Sequence, residues 1–231
     1  MVGPGRDNGY VARSIAFSSP MNRTAPLHEL EFDHDYAAEQ LRRSHHPLRR
    51  FVKGFYLRRI LHDVRGPSVD FGCGAGQLLR LLPPGSLGLE VNPHLIKVLR
   101  AEGLTVRQAK GTMQDFDLAG VAAGVFRTLV IAHVLEHLPD PVAALHVLLP
   151  ACRRLGIERV IVVVPGAKGY ASDPTHKTFI DRAFIDARLP MQTDGYRRSS
   201  IDYFPGAWPW VGRYFVFHEM KVVFDRVPEQ R

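Results

Sequence analysis

Residues 68–82, SVDFGCGAGQLLRLL, constrain this chain more than any other stretch. Gly66-Pro67 opens it with a turn signal, and the short apolar run that follows suits a buried strand. Gly72, Gly74 and Gly76 then alternate with Cys73 and Ala75 before an apolar segment predicted to be helical. A strand, a glycine turn and a helix start, in that order, build a cradle for a nucleotide cofactor. Glycine lets the main chain turn sharply and lets a ligand come close with no Cβ in the way. The spacing narrows the choice. A dinucleotide fingerprint, G-x-G-x-x-G, needs glycine where this chain has Gln77, and no Gly-Lys-Ser/Thr of a phosphate loop is present.

The remaining chain alternates strand-like and helix-like segments. Strands are expected at residues 86–91, 104–108, 125–132 and 159–164, with helices at 94–102 and 142–155 between them. That alternation predicts a doubly wound, mostly parallel sheet with right-handed crossovers. Past a helix at 181–189, residues 196–204 and 211–224 read as two strands with no helix between them, so an antiparallel pair closes the sheet. Ahead of the sheet, helices are expected at 34–44, with Asp33 as its N-cap, and from Pro47 to about His62. The domain plan is a loose tail over 1–26 and one domain over 27–231, its helical cap at 27–65 and its core at 66–231. With 45% apolar residues and no apolar run near the roughly 18 that a membrane span needs, a soluble fold is expected. Two cysteines, Cys73 and Cys152, provide no disulfide framework and point to the cytoplasm.

Asp70-x-Gly72-x-Gly74-x-Gly76 resembles the first motif of the class I S-adenosylmethionine (SAM) methyltransferases, and Leu135-Glu136-His137-Leu138-Pro139-Asp140-Pro141 resembles a segment of that family's small-molecule branch. The resemblance spans residues 67–227 and implies a seven-stranded Rossmann-like sheet whose last strand inserts beside the fifth. It implies SAM as cofactor and methyl transfer as the reaction. It assigns Asp70, Gly72, Cys73, Gly74 and Gly76 to the cofactor's methionine end, Thr112 or the main chain of Met113 or Gln114 to the adenine, and His133, at the fourth strand's tip, to the cofactor as well. Glu90, with Val91 beside it, ends the second strand about 20 residues past the first motif, where nucleotide folds hold a ribose diol. Thr112 stands where the family often carries an acid, and Arg127 where the small-molecule branch carries aspartate.

His133-x-x-Glu136-His137 also spells an inverted zinc-protease signature, but it follows a strand tip rather than lying on a peptidase helix. Small-RNA 3′-end methyltransferases hold a divalent metal with Glu-x-x-Glu-His and a later histidine; here the first glutamate is His133. No metal is expected, and His137 and His176 are the predicted catalytic residues, histidine's pKa near working pH suiting a base. Tyr170 and Asp173, in the long loop after the fifth strand, are the predicted acceptor contacts. The acceptor is expected to be a small molecule or a sugar or cell-envelope glycan precursor. RNA methylation and a catalytically silent SAM-binding fold are the rivals. A net charge of +7 permits an anionic partner. Its densest patch is Arg42, Arg43, Arg49, Arg50, Lys53, Arg58, Arg59 and Arg65 against Asp63 alone; a solvated face over apolar stems is the favoured reading, ahead of contacts to RNA phosphates, an anionic glycolipid or a nucleotide-sugar diphosphate.

Overall fold

The computed structural model describes residues 47–206 and 211–228, together with Ala38, Leu41, Arg42 and Trp208. The expected tail and nearly all of the expected helix at 34–44 lie outside these residues. Helix α1 (Pro47–Asp63) starts at the proline that opens it. Then follow β1 (Ser68–Phe71), β2 (Leu87–Glu90), α2 (Pro93–Ala101), β3 (Val106–Gln108), β4 (Thr128–Ala132), α3 (Pro141–Arg154) and β5 (Arg159–Pro165). Asn92 and Asp140 cap α2 and α3 by accepting from backbone N–H groups of the first turn, with proline next in line each time. The C-terminal part adds α4 (Ala167–Ala171), α5 (Arg182–Arg188), β6 (Gln192–Thr193), β7 (Tyr196–Phe204), α6 (Val211–Tyr214) and β8 (Glu219–Arg226).

The sheet order is β3-β2-β1-β4-β5-β8-β7-β6. Strands β1 to β5 run parallel, and β8 lies antiparallel between β5 and β7. This is the expected Rossmann-like sheet with the last strand beside the fifth. Residues 160–165 are buried throughout, as a strand covered on both faces requires. One face packs α3 through Leu145, Leu148 and Leu149; the other packs α1 and α2 through Ile60, Ile96 and Leu99.

Three expectations are corrected. The segment after the glycine turn is no helix but one 3-10 turn, Leu79–Leu81. Pro83-Pro84 leaves only six residues beyond Gly76, and Leu78, Leu79 and Leu82 are buried without a longer helix. Residues 211–218 are not strand: Phe215 and His218 donate backbone bonds to Val211 and Phe215, winding the chain into a turn before β8. The sheet has eight strands, not seven, because Asp194-Gly195, at φ 51° and 81°, folds Gln192–Thr193 back onto β7 as a two-residue hairpin.

Candidate active site

The carboxyl ends of β1, β2 and β4 open on a cavity of about 630 Å³, where ligands bind in sheets of this winding. Gly72 and Cys73 both donate to the Leu89 carbonyl, at 2.8 and 3.0 Å, which ties the glycine turn to β2. A Cβ on Gly72 would lie 2.5 Å from Val134 Cγ2. Gly74, at φ +52°, faces open space, so the main chain there is bare toward the cavity.

Two buried carboxylates back this turn. Asp70 is 3% exposed, and its Oδ2 has no hydrogen-bond partner. Burial, and then the charge of Glu90, push its pKa up to about 7. Glu90 accepts from the backbone N–H of Gly74 at 2.7 Å and from those of Val91 and Asn92 at 2.9 Å each. It therefore clamps the glycine turn to the β2 tip, a role that its strand-end position alone does not reveal. The same wall carries Thr112, Met113 and Asp115. Asp115 takes the backbone N–H of Lys110 and of Thr112, the latter at 2.9 Å. Its signal in the sequence is the Thr-x-x-Asp capping spacing.

The cavity is also lined by Tyr56 of α1, His133, His137 and Lys177. His133 adopts φ +57°, uncommon for a residue with a Cβ, and its backbone N–H bonds the Val163 carbonyl at 3.0 Å. Its ring bridges two buried carboxylates, Nδ1 at 3.2 Å from Glu136 Oε1 and Nε2 at 3.4 Å from Glu219 Oε2. Glu219 begins β8 and carried no sequence signal. Burial, followed by the charges of Glu219, Asp70 and Glu136, pushes the Tyr56 hydroxyl well above its usual range.

The structure places Asp70, Gly72, Cys73, Gly74, Glu90, Val91, Thr112, Met113, His133 and His137 on the cavity wall. Gly76 is not on it; its Cα faces Leu99. Tyr170, Asp173 and His176 sit one layer behind His137. His176 stacks on Tyr170, and its Nδ1 donates to the Tyr170 carbonyl at 2.8 Å. Ligand atoms of Glu136, His137 and His176 lie within 4.8 Å of one another, and Glu136 Oε2 is buried without a partner.

Residues 69–157 match the family model described as a methyltransferase domain. The ubiquinone biosynthesis O-methyltransferase of Xanthomonas oryzae pv. oryzae is 33% identical over 147 residues, covering 58% of this chain and 57% of that protein. Over residues 69–157 the chain is thus similar to methyltransferase domains. It spans less than two thirds of the length of the curated relatives it matches. Its fold is also that of a SAM-dependent methyltransferase from Archaeoglobus fulgidus (TM-score 0.55, 19% identity, 74% of this chain and 91% of that one). A possible histamine N-methyltransferase from Thermotoga maritima is similar at TM-score 0.61 and 14% identity, over 87% and 99% of the two chains. SAM, the cofactor that this likeness implies, fits the residues present. A partnerless, buried Asp70 oxygen suits an ammonium donor, and the bare main chain at Gly74 suits close approach. Among the described residues, no helix is long and apolar enough to cross a membrane.

Proposed function

We propose that this methyltransferase moves the SAM methyl group to a heteroatom of a small molecule, with a hydroxyl oxygen as the leading acceptor. The observation that carries this reading is one cavity that joins a cofactor-type cradle to side chains able to accept a proton. The glycine turn, Asp70 and Glu90 line it together with His137, Lys177 and Tyr56. Asp70, Gly74 and Glu90 would hold the cofactor's amino acid and ribose, and Thr112 and Met113 its base. SAM supplies an electrophilic methyl group already activated by its sulfonium. The protein's task is then to position the acceptor in line and accept its proton. The name of the X. oryzae relative, an O-methyltransferase, supports oxygen as the nucleophile.

The basic stretch adds little support for RNA. Arg59 donates to the Tyr203 carbonyl at 3.1 Å and Arg65 lies 3.6 Å from Asp225, so both are engaged with the sheet. Calorimetry should show SAM and its demethylated product, S-adenosylhomocysteine (SAH), binding with micromolar or tighter affinity. Labelled methyl from SAM should then pass to a member of a panel of phenols and hydroxylated sugars. Labelling of short RNA, with none of the panel labelled, would overturn the small-molecule reading. No binding of either compound would overturn the whole.

A second reading rests on the convergence of Glu136, His137 and His176 around an unpartnered carboxylate oxygen, an arrangement a divalent cation could use. Turnover lost in EDTA and restored by Mg²⁺ or Mn²⁺ would establish that reading in place of metal-free chemistry.

A further inference from the structure

We propose that Asp173 and Thr175 form a positioning relay that holds His137 in its Nδ1–H tautomer, leaving Nε2 to take a proton from an O–H or N–H acceptor. This inference rests on the methyl-transfer reading above and narrows its acceptor to a protic nucleophile.

The relay follows from counting protons. Thr175 Oγ1 lies 2.6 Å from Asp173 Oδ1 and 3.0 Å from His137 Nδ1. A hydroxyl has one proton to donate, and an ionised carboxylate can only accept. The Thr175 proton therefore goes to Asp173, and Thr175 can only accept from His137. Nδ1 must carry hydrogen, and a neutral imidazole then bears its lone pair on Nε2. Asp173 is ionised at neutral pH. Burial pushes its carboxyl up, but the hydroxyl and backbone bonds from Thr175 together with His176 and His137 outweigh this and hold it below its usual value.

The surroundings keep the relay in place. The Thr175 backbone N–H also donates to Asp173 Oδ1, at 2.9 Å, and Pro174 between them restricts the turn. Backbone N–H groups of Lys177 and Thr178 donate to the Glu136 carbonyl at 2.8 and 3.1 Å, so this loop is fastened to the turn carrying His137. The His176 ring packs edge-on against His137 at 4.8 Å, and Glu136 Oε1 lies 3.9 Å from His176 Nε2, with a carboxylate oxygen of Glu136 within 4.8 Å of a His137 ring nitrogen. Lys177 and Asp140 share the cavity wall with His137. Of these groups and Thr175, it is the Thr175 Oγ1 that stands at hydrogen-bond distance from Nδ1.

In the step itself, the acceptor's lone pair forms the bond to the methyl carbon while the carbon–sulfur bond breaks, its electron pair staying on sulfur. The acceptor's proton passes to His137 Nε2, and the imidazolium so formed, facing ionised Asp173 through Thr175, gives the proton to solvent. Asp173 and Thr175 touch neither reactant.

The test reads the tautomer directly and needs no acceptor. In protein labelled with ¹⁵N-histidine and dialysed against EDTA, the neutral His137 ring, assigned by its loss in His137→Gln, should show a protonated Nδ1 and an unprotonated Nε2. Asp173→Ala frees the Thr175 hydroxyl to donate, so the ring should move toward the Nε2–H form. Thr175→Ser should keep the wild-type signature. SAH affinity should change by less than about two-fold in both variants, since neither residue lines the cavity. With whichever panel compound is methylated, Asp173→Ala should lower kcat by on the order of 10-fold or more, within what a positioned base supplies. An Nε2–H ring in the wild type, or an unchanged ring in Asp173→Ala, overturns the relay. Failure of wild-type protein to bind SAH instead overturns the methyl-transfer reading and leaves the tautomer result to decide the relay on its own.

Discussion

Asp70 is where a single residue sets a pH dependence for the whole site. Its carboxyl is raised from 3.8 to about 7, by burial and then by Glu90. Between those two values the fold retains a proton that the unfolded chain has released. This group's contribution to stability is therefore present at low pH, declines as pH rises toward about 7, and is flat above. A cationic cofactor favours the ionised carboxylate, so binding should expel that proton. SAM affinity should rise between about pH 5.5 and about pH 7.5, and calorimetry in buffers of different ionisation enthalpy should count the proton released. Asp70→Asn should remove both effects; a wild-type proton count of zero would detach Asp70 from the cofactor. Glu90 offers a different test. Glu90→Gln turns one acceptor oxygen into a donor facing backbone N–H groups, so stability should fall by about 1.5–3 kcal/mol, the scale of charge-assisted bonds. An unchanged urea midpoint would remove Glu90 from the glycine-turn clamp. Asp70, Gly74 and Glu90 were legible in the sequence because their spacing follows the chain's local order. Tyr56 and Glu219 were not, since they meet His133 only after α1 and β8 fold onto the sheet from 163 residues apart (219 − 56).

At the scale of elements, strong periodicity and capping made α2, α3, β4 and β5 readable, whereas short pieces were not. The 3-10 turn at Leu79–Leu81 shows the same buried leucines that a helix would show, and only the space before Pro83 distinguishes the two. Helix α1 shows how tertiary contacts give meaning to a basic sequence. Tyr56, Leu57 and Ile60 bury one side against Ile161 and Val163. At its end, Asp63 pairs with Lys221, and Arg159 donates to the Asp63 carbonyl at 3.1 Å. Arg159 also grips Asp225 of β8 through two bonds of 2.8 and 3.0 Å, so helix and strand share one anchor. Ile60, 1% exposed, is the centre of that contact. Ile60→Ala should cost about 2–5 kcal/mol in urea unfolding, whereas Arg58→Gln, on the exposed side, should stay within about 0.5 kcal/mol. Equal losses in the two variants would mean that α1 is held by charge rather than by packing. Because Tyr56 lines the cavity, Ile60→Ala should also weaken SAH binding beyond what lost stability explains.

Across the whole molecule, the sheet makes cofactor binding and global stability one property. The cavity draws on the ends of β1, β2 and β4, and β4 continues through β5 into β8, which pairs on both sides. The strand ends in that wall cannot part without breaking ladders that run through the core. The described residues should therefore unfold in a single transition, and a ligand of the cavity should move it as a unit. At 100 times its Kd, SAH should add about 2.7 kcal/mol, which for a chain of this size raises the melting temperature by roughly 5–10 °C. NAD at equal concentration should leave the midpoint unmoved, because the glycine turn ends on a 3-10 turn with Gln77 where a dinucleotide site needs glycine and a helix start. Scanning calorimetry with each compound separates the outcomes. A shift with NAD and none with SAH would transfer the cavity to an oxidoreductase. Two transitions, only the lower moved by SAH, would show that the glycine turn and its neighbours fold apart from the β5–β8 half, and the coupling through β4 would then be wrong.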